Sequence, residues 1–144
     1  MRPESILIVD DDNDVRSALS ELLEEEGFTV VGAGNGREAL ARLRGGGVRP
    51  AVILLDLMMP GMDGWDFRCE QLRDPKLARV PIVVVSASGF SHESIRTQLH
   101  PAAYVEKPIE ETALLGVIRK LVRSGPPGQL DATERAGDSE DDRT

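Results

Sequence analysis

Ile6-Leu7-Ile8-Val9-Asp10-Asp11-Asp12-Asn13-Asp14 is the stretch on which the reading of this chain turns. Four apolar residues in unbroken succession suit a strand covered on both faces by helices, since a half-exposed strand would alternate. The acids that follow at once end that strand and set ionisable groups at its carboxyl end. Residues 28–31, 51–55 and 82–85 form further apolar runs, and residues 102–105 a short final one.

Between these runs the apolar period changes from strand-like to helical. Val15, Ala18, Leu19, Leu22 and Leu23 share one helix face, with Asp12 or Asn13 as cap and Gly27 as stop. Ala39, Leu40 and Leu43 mark a second helix that ends at Gly45-Gly46-Gly47. Trp65, Cys69 and Leu72 mark a third, with Asp63 placed to cap it and Asp66 to complement its dipole. Residues 91–100 offer only Ile95 and Leu99 as anchors, whereas Leu114, Leu115, Ile118, Leu121 and Val122 predict a strongly amphipathic last helix. Alternating strands and helices give an α/β fold, a five-stranded parallel sheet with helices on both faces. Right-handed crossovers favour the doubly wound, flavodoxin-like order 2-1-3-4-5.

Composition narrows the class. The 144 residues are 40% hydrophobic and 29% charged, as in an ordinary globular domain, and carry a net charge of −8. No basic surface suited to nucleic acid or to acidic membranes is expected from that balance. No apolar run approaches a bilayer span, no signal-peptide core opens the chain, and Cys69 is the only cysteine; a cytoplasmic protein is expected. From Ser124 onward six acids, two bases and Gly125-Pro126-Pro127-Gly128 replace the apolar pattern. Two regions are therefore expected, a folded domain over residues 1–123 and a disordered acidic tail over residues 124–144.

Polar residues fall at the ends of four strands: Asp10 and Asp11, Asp56, Ser86, and Lys107 before Pro108. In an open α/β sheet ligands bind at that edge, near the point where strand order reverses. Neighbouring first and third strands would bring Asp10, Asp11 and Asp56 together, and three carboxylates so close call for a cation. All-oxygen ligands with room for water suit Mg²⁺ awaiting a phosphate. A lysine and a hydroxyl then complete a site for phosphoryl transfer by positioning and electrostatics.

The segments Ile6-Leu7-Ile8-Val9-Asp10-Asp11, Asp56-Leu57-Met58-Met59-Pro60-Gly61-Met62-Asp63-Gly64, Ser86-Ala87 and Tyr104-Val105-Glu106-Lys107-Pro108 resemble the receiver domains of two-component response regulators over about residues 4–123. The resemblance implies that Asp56 accepts a phosphoryl group from a histidine kinase, a phosphotransfer protein or a small phosphodonor. It implies Mg²⁺ held by Asp11, Asp56 and the Met58 carbonyl, with Asp10 acting through water. Ser86 and Lys107 would hold phosphoryl oxygens, and Ser86 and Tyr104 would form the switch. A stand-alone receiver is then expected, not an enzyme on foreign substrates. It would signal to a downstream protein target as a monomer or a phosphorylation-dependent dimer, with no part in nucleic-acid or membrane binding.

Competing motifs fit less well. Asp10, Asp12, Asp14 and Glu21 are spaced as in an EF-hand loop, but Val15 stands at the obligatory glycine and a strand precedes. A haloacid-dehalogenase-type phosphatase would use Asp10 as nucleophile, yet needs Thr or Val where Asp14 stands and an acidic motif after Lys107. Gly32, Gly34 and Gly36 resemble a dinucleotide fingerprint with its third glycine one place early. His92 and His100 read as surface histidines, and Cys69 as a packed thiol on the third helix.

Overall fold

The computed structural model describes residues 4–45, 47–59, 61–87 and 92–124, without the side chains of His92 and Ser124. The expected tail therefore lies outside the described residues, apart from the backbone of Ser124. Ten elements alternate: β1 (Ser5–Val9), α1 (Asn13–Glu25), β2 (Thr29–Ala33), α2 (Gly36–Arg44), β3 (Val52–Asp56), α3 (Gly64–Arg73), β4 (Ile82–Ser86), α4 (His92–Leu99), β5 (Ala103–Glu106) and α5 (Glu111–Ser124). The strands pair in parallel in the order β2-β1-β3-β4-β5, which is the expected one.

Local chemistry sets the helix boundaries. The Asp12 carboxylate accepts from the backbone N–H groups of Asp14 at 2.9 Å and Val15 at 3.2 Å, so it meets two donors that α1 leaves unpaired. Asn35 caps α2 by accepting from Glu38 N–H, and Asp63 caps α3 by accepting from Asp66 N–H. Gly27, just past α1, has φ of +97°, a left-handed conformation that a residue with a Cβ rarely adopts.

Every residue of β3 and β4 is buried, as the unbroken apolar runs require. Alternate strand residues face two cores. Leu7, Val9, Ile53, Leu55 and Val84 pack with Leu40 and Leu43 of α2, Phe67 of α3, and Ile95 and Leu99 of α4. Ile6, Ile8, Leu54 and Val85 pack with Leu19 and Leu23 of α1 and with Leu114 and Ile118 of α5. Among the described residues no helix is long and apolar enough to cross a membrane.

One helix departs from the expected face. Of Trp65, Cys69 and Leu72, only the half-buried Trp65 packs against the core; Cys69 is exposed and Leu72 is 45% exposed. The buried residues are Gly64, Phe67, Arg68 and Gln71. The cause is a close approach at the start of the helix. A Cβ built on Gly64 would lie 2.7 Å from both the Asp56 carbonyl oxygen and Leu57 Cα, so only glycine lets α3 sit so near the end of β3. From that start Phe67 faces inward, and Cys69, two positions on, faces outward.

Candidate functional site

Sheet register explains which side chains meet. Val9 of β1 lies beside Leu55 of β3, so Asp10 and Asp56, one position further, emerge from adjacent strands. One carboxylate oxygen from each of Asp10, Asp11 and Asp56 lies within 4.8 Å of the others. Asp10 and Asp56 are buried, and Asp11 is exposed. Beyond β5, Lys107 reaches back over the sheet edge: its Nζ stands 3.4 Å from Asp10 Oδ2 and 3.8 Å from Asp56 Oδ1. The Asp10 carboxylate also accepts from Asp12 N–H at 2.9 Å.

One lysine does not balance three carboxylates. The Asp56 carboxyl is pushed up to about 6, first by burial and next by the neighbouring Asp10 charge. Lys107 and the Met58 N–H, which donates to Asp56 Oδ1 at 3.3 Å, pull it back, and Asp11 pushes it further up. The donor set is entirely oxygen, the chemistry of a hard divalent cation. One oxygen from each acid lies close enough to the others for a single small ion, with water completing its shell, to sit among them. That excess of negative charge and the convergence of three carboxylates make the group a fit for a hard divalent cation.

Ser86, the last residue of β4, is fully buried. Its hydroxyl donates to the Tyr104 hydroxyl of β5 at 3.3 Å, so the two residues expected to switch are already in contact. Met58 follows the site with its side chain 62% exposed. His100 is exposed, as expected of a surface histidine. Among the described residues, then, Asp10, Asp11, Asp56 and Lys107 come together directly, and Ser86 and Tyr104 form a pair on the adjoining strands.

Two residues at the site were given no role by the sequence reading, although Gly64 stands in one of the segments that carry the receiver resemblance. Arg16 of α1 donates through Nη1 to the Asp10 carbonyl oxygen at 2.5 Å, and its stem lies over Gly32 and Gly34. It holds the backbone that aims Asp10. Gly64 lets α3 begin against the Asp56 carbonyl. Neither carries a motif of its own; only the absence of a side chain at Gly64 and helical spacing from Asp12 to Arg16 could have pointed to them.

The family model for the response regulator receiver domain matches residues 6–119. The sensory transduction protein RegX3 of Mycolicibacterium smegmatis is 37% identical over 84% of this chain and 51% of its own length. The transcriptional regulatory protein CseB of Streptomyces coelicolor is 36% identical over 94% of this chain and 56% of its own. The chain thus spans about half the length of these curated relatives. Among solved structures, the receiver domain of a histidine kinase from Syntrophus aciditrophicus superposes with a TM-score of 0.77 at 25% identity, covering 90% of this chain and 96% of that one. The Vibrio cholerae chemotaxis protein CheY4 does so with a TM-score of 0.74 at 27% identity, over 83% and 98%.

Proposed function

Because this chain belongs to the response regulator receiver family, we propose that Asp56 is its phosphoacceptor and that Mg²⁺ held by Asp11, Asp56 and the Met58 carbonyl, with Asp10 in the outer shell, assists the transfer. The observation that carries this reading is the cluster of three carboxylates with Lys107 against two of them. An Asp56 oxygen forms the new P–O bond as the P–N bond of a donor phosphohistidine, or the P–O bond of a small acyl phosphate, breaks. Bound Mg²⁺ supplies the positive charge that the carboxylates and the incoming phosphoryl oxygens need. Lys107 stays beside Asp56 and takes a phosphoryl oxygen, and the Ser86 hydroxyl donates to another.

Taking the Ser86 hydroxyl toward the phosphoryl group breaks its bond to Tyr104, and the Tyr104 ring changes rotamer in response. The domain acts as a phosphorylation-dependent contact surface for a protein target in the cytoplasm, not as an enzyme on foreign phosphate esters. Its own output needs no nucleic-acid contact from residues 6–119.

Intact mass after incubation with acetyl phosphate and Mg²⁺ tests the acceptor. One phosphoryl group should be gained, and Asp56→Asn or EDTA should remove the gain; labelling that survives in Asp56→Asn would overturn the assignment. Ser86→Ala should separate the two steps. It keeps the acceptor and still takes phosphate, yet loses most of the change in amide exchange across residues 92–107 that beryllofluoride induces in the parent. An undiminished change would remove Ser86 from the switch.

A further inference from the structure

Arg68 is 93% buried by exposure of 7%, on the inner face of α3, and no carboxylate pairs with it among the described residues. Its guanidinium donates three hydrogen bonds, each to a neutral acceptor. Nε donates to the Leu99 carbonyl oxygen at 2.8 Å, Nη2 to the His100 carbonyl oxygen at 2.9 Å, and Nη1 to Gln71 Oε1 at 2.6 Å. Gln71, fully buried, passes the connection on: its Nε2 donates to the carbonyl oxygens of Leu77 at 2.9 Å and Val80 at 3.0 Å, on the path into β4. Burial alone lowers the affinity of Arg68 for its proton, so the charge is held against a real desolvation penalty.

Such a penalty is met only where the acceptors are well placed, and these are. A helix end leaves its last carbonyls unpaired and carries the negative pole of the dipole, which a cation complements. The end in question belongs to α4, whose buried apolar anchors are only Ile95 and Leu99. His100, next in the chain, has φ of +48°, and its N–H closes the helix on the Arg96 carbonyl at 3.1 Å. The helix from which Arg68 reaches is tied to the end of β3, where Gly64 N–H donates to the Leu57 carbonyl at 3.1 Å and the two backbones approach closely.

We propose that Arg68 is a positioning residue that fixes the C-terminal end of α4 to α3, so that α4 responds to the state of Asp56 by moving at its N-terminal end about an anchored C-terminus. The pivot rests on the phosphoacceptor reading above; the anchor itself does not. Arg68 touches neither the acids nor the phosphoryl group, and acts on the output by deciding which end of α4 is free.

Residue-resolved amide exchange on the full chain, with and without Mg²⁺ and beryllofluoride, tests both parts. Without the phosphoryl mimic, Arg68→Met should speed exchange at residues 97–100 by about tenfold or more, the loss expected for bonds to a charged donor. The buried amides of β1 and β3 should change far less. A residue that only adds stability would raise exchange in all of these together. With the mimic, the parent should change over residues 92–95 and hold steady over 97–100, whereas in Arg68→Met the change should spread through 100. Unaltered exchange at 97–100 in folded Arg68→Met overturns the anchor. Equal change at both ends of α4 in the parent overturns the pivot. Should Arg68→Met fail to fold, Arg68→Lys, which keeps the charge but not the fork, takes its place and should show an intermediate rise. No Mg²⁺-dependent beryllofluoride binding in the parent would overturn the phosphoacceptor reading and the pivot with it, and leave the anchor to stand or fall on the first comparison.

Discussion

Metal-free Asp56→Asn will be more stable than the parent at pH 8, by the order of 2 kcal/mol. The carboxyl is raised from 3.8 to about 6 in the folded protein, by burial and by Asp10. A raised value means that the folded state holds the proton more tightly than the unfolded one. The contribution to stability is therefore fully present below pH 3.8 and is lost as the pH climbs through about 6. About two units correspond to roughly 3 kcal/mol at about 1.4 kcal/mol each, and relaxation of the partly hydrated site reduces that. An amide at the same place has no charge to suffer. Urea unfolding in EDTA at pH 8 reads the difference, and the gap should narrow toward pH 5. Mg²⁺ should then stabilise the parent and leave Asp56→Asn almost unmoved. A variant no more stable than the parent at pH 8 would show that the acids do not strain the resting fold.

Gly64→Ala should be the most damaging single-methyl change near the site. The added Cβ would lie 2.7 Å from the Asp56 carbonyl oxygen and from Leu57 Cα, and 2.8 Å from Leu57 Cδ2. Two of these are backbone atoms and cannot swing away. Either α3 withdraws, losing the Gly64 N–H bond to Leu57, or β3 bends at Asp56, the proposed phosphoacceptor. Overpacking of this kind costs about 1–3 kcal/mol, and the upper end is expected here. Phosphorylation by acetyl phosphate should slow as well, since Asp56 sits on the displaced backbone. Gly116→Ala is the matched control: nothing lies within 4 Å of its Cβ, and in the exposed interior of α5 it should stabilise by up to about 1 kcal/mol. Equal denaturation midpoints for Gly64→Ala and the parent would refute the close-approach argument.

The layers of this fold were readable where burial is apolar and regular. Ile6 to Val9, Val52 to Leu55 and Ile82 to Val85 are continuous because both faces are covered, and their spacing with the helices gives the observed strand order. The acid cluster followed from that order, since Asp10 and Asp56 stand at the carboxyl ends of adjacent strands. Periodicity failed on α3 because the inward face includes Arg68 and Gln71, and a hydrophobic scale scores buried polar residues as exposed. Trp65, Cys69 and Leu72 made a more apolar stripe, yet only Trp65 of the three packs against the core. The segment around α4 looked weak for the same reason: part of what holds it is a guanidinium on another helix, more than thirty positions earlier. Arg16 was opaque because its target is the Asp10 main chain, which no pattern of side chains reveals.

No two neighbouring strands in this sheet are joined by a hairpin; every ladder closes across at least one helix, and Ile6 must wait for Val52 before β1 has its inner partner. Sheets of that kind assemble slowly, because distant segments must meet before any pairing is rewarded. The three acids are all in place once β3 docks on β1, whereas Lys107 arrives only after β5, the last strand to be made. In a chain that emerges from its N-terminus, the carboxylates meet one another before they meet their lysine. The central ladder of the newborn sheet thus closes against a repulsion that, at that moment, only a cation from solution relieves.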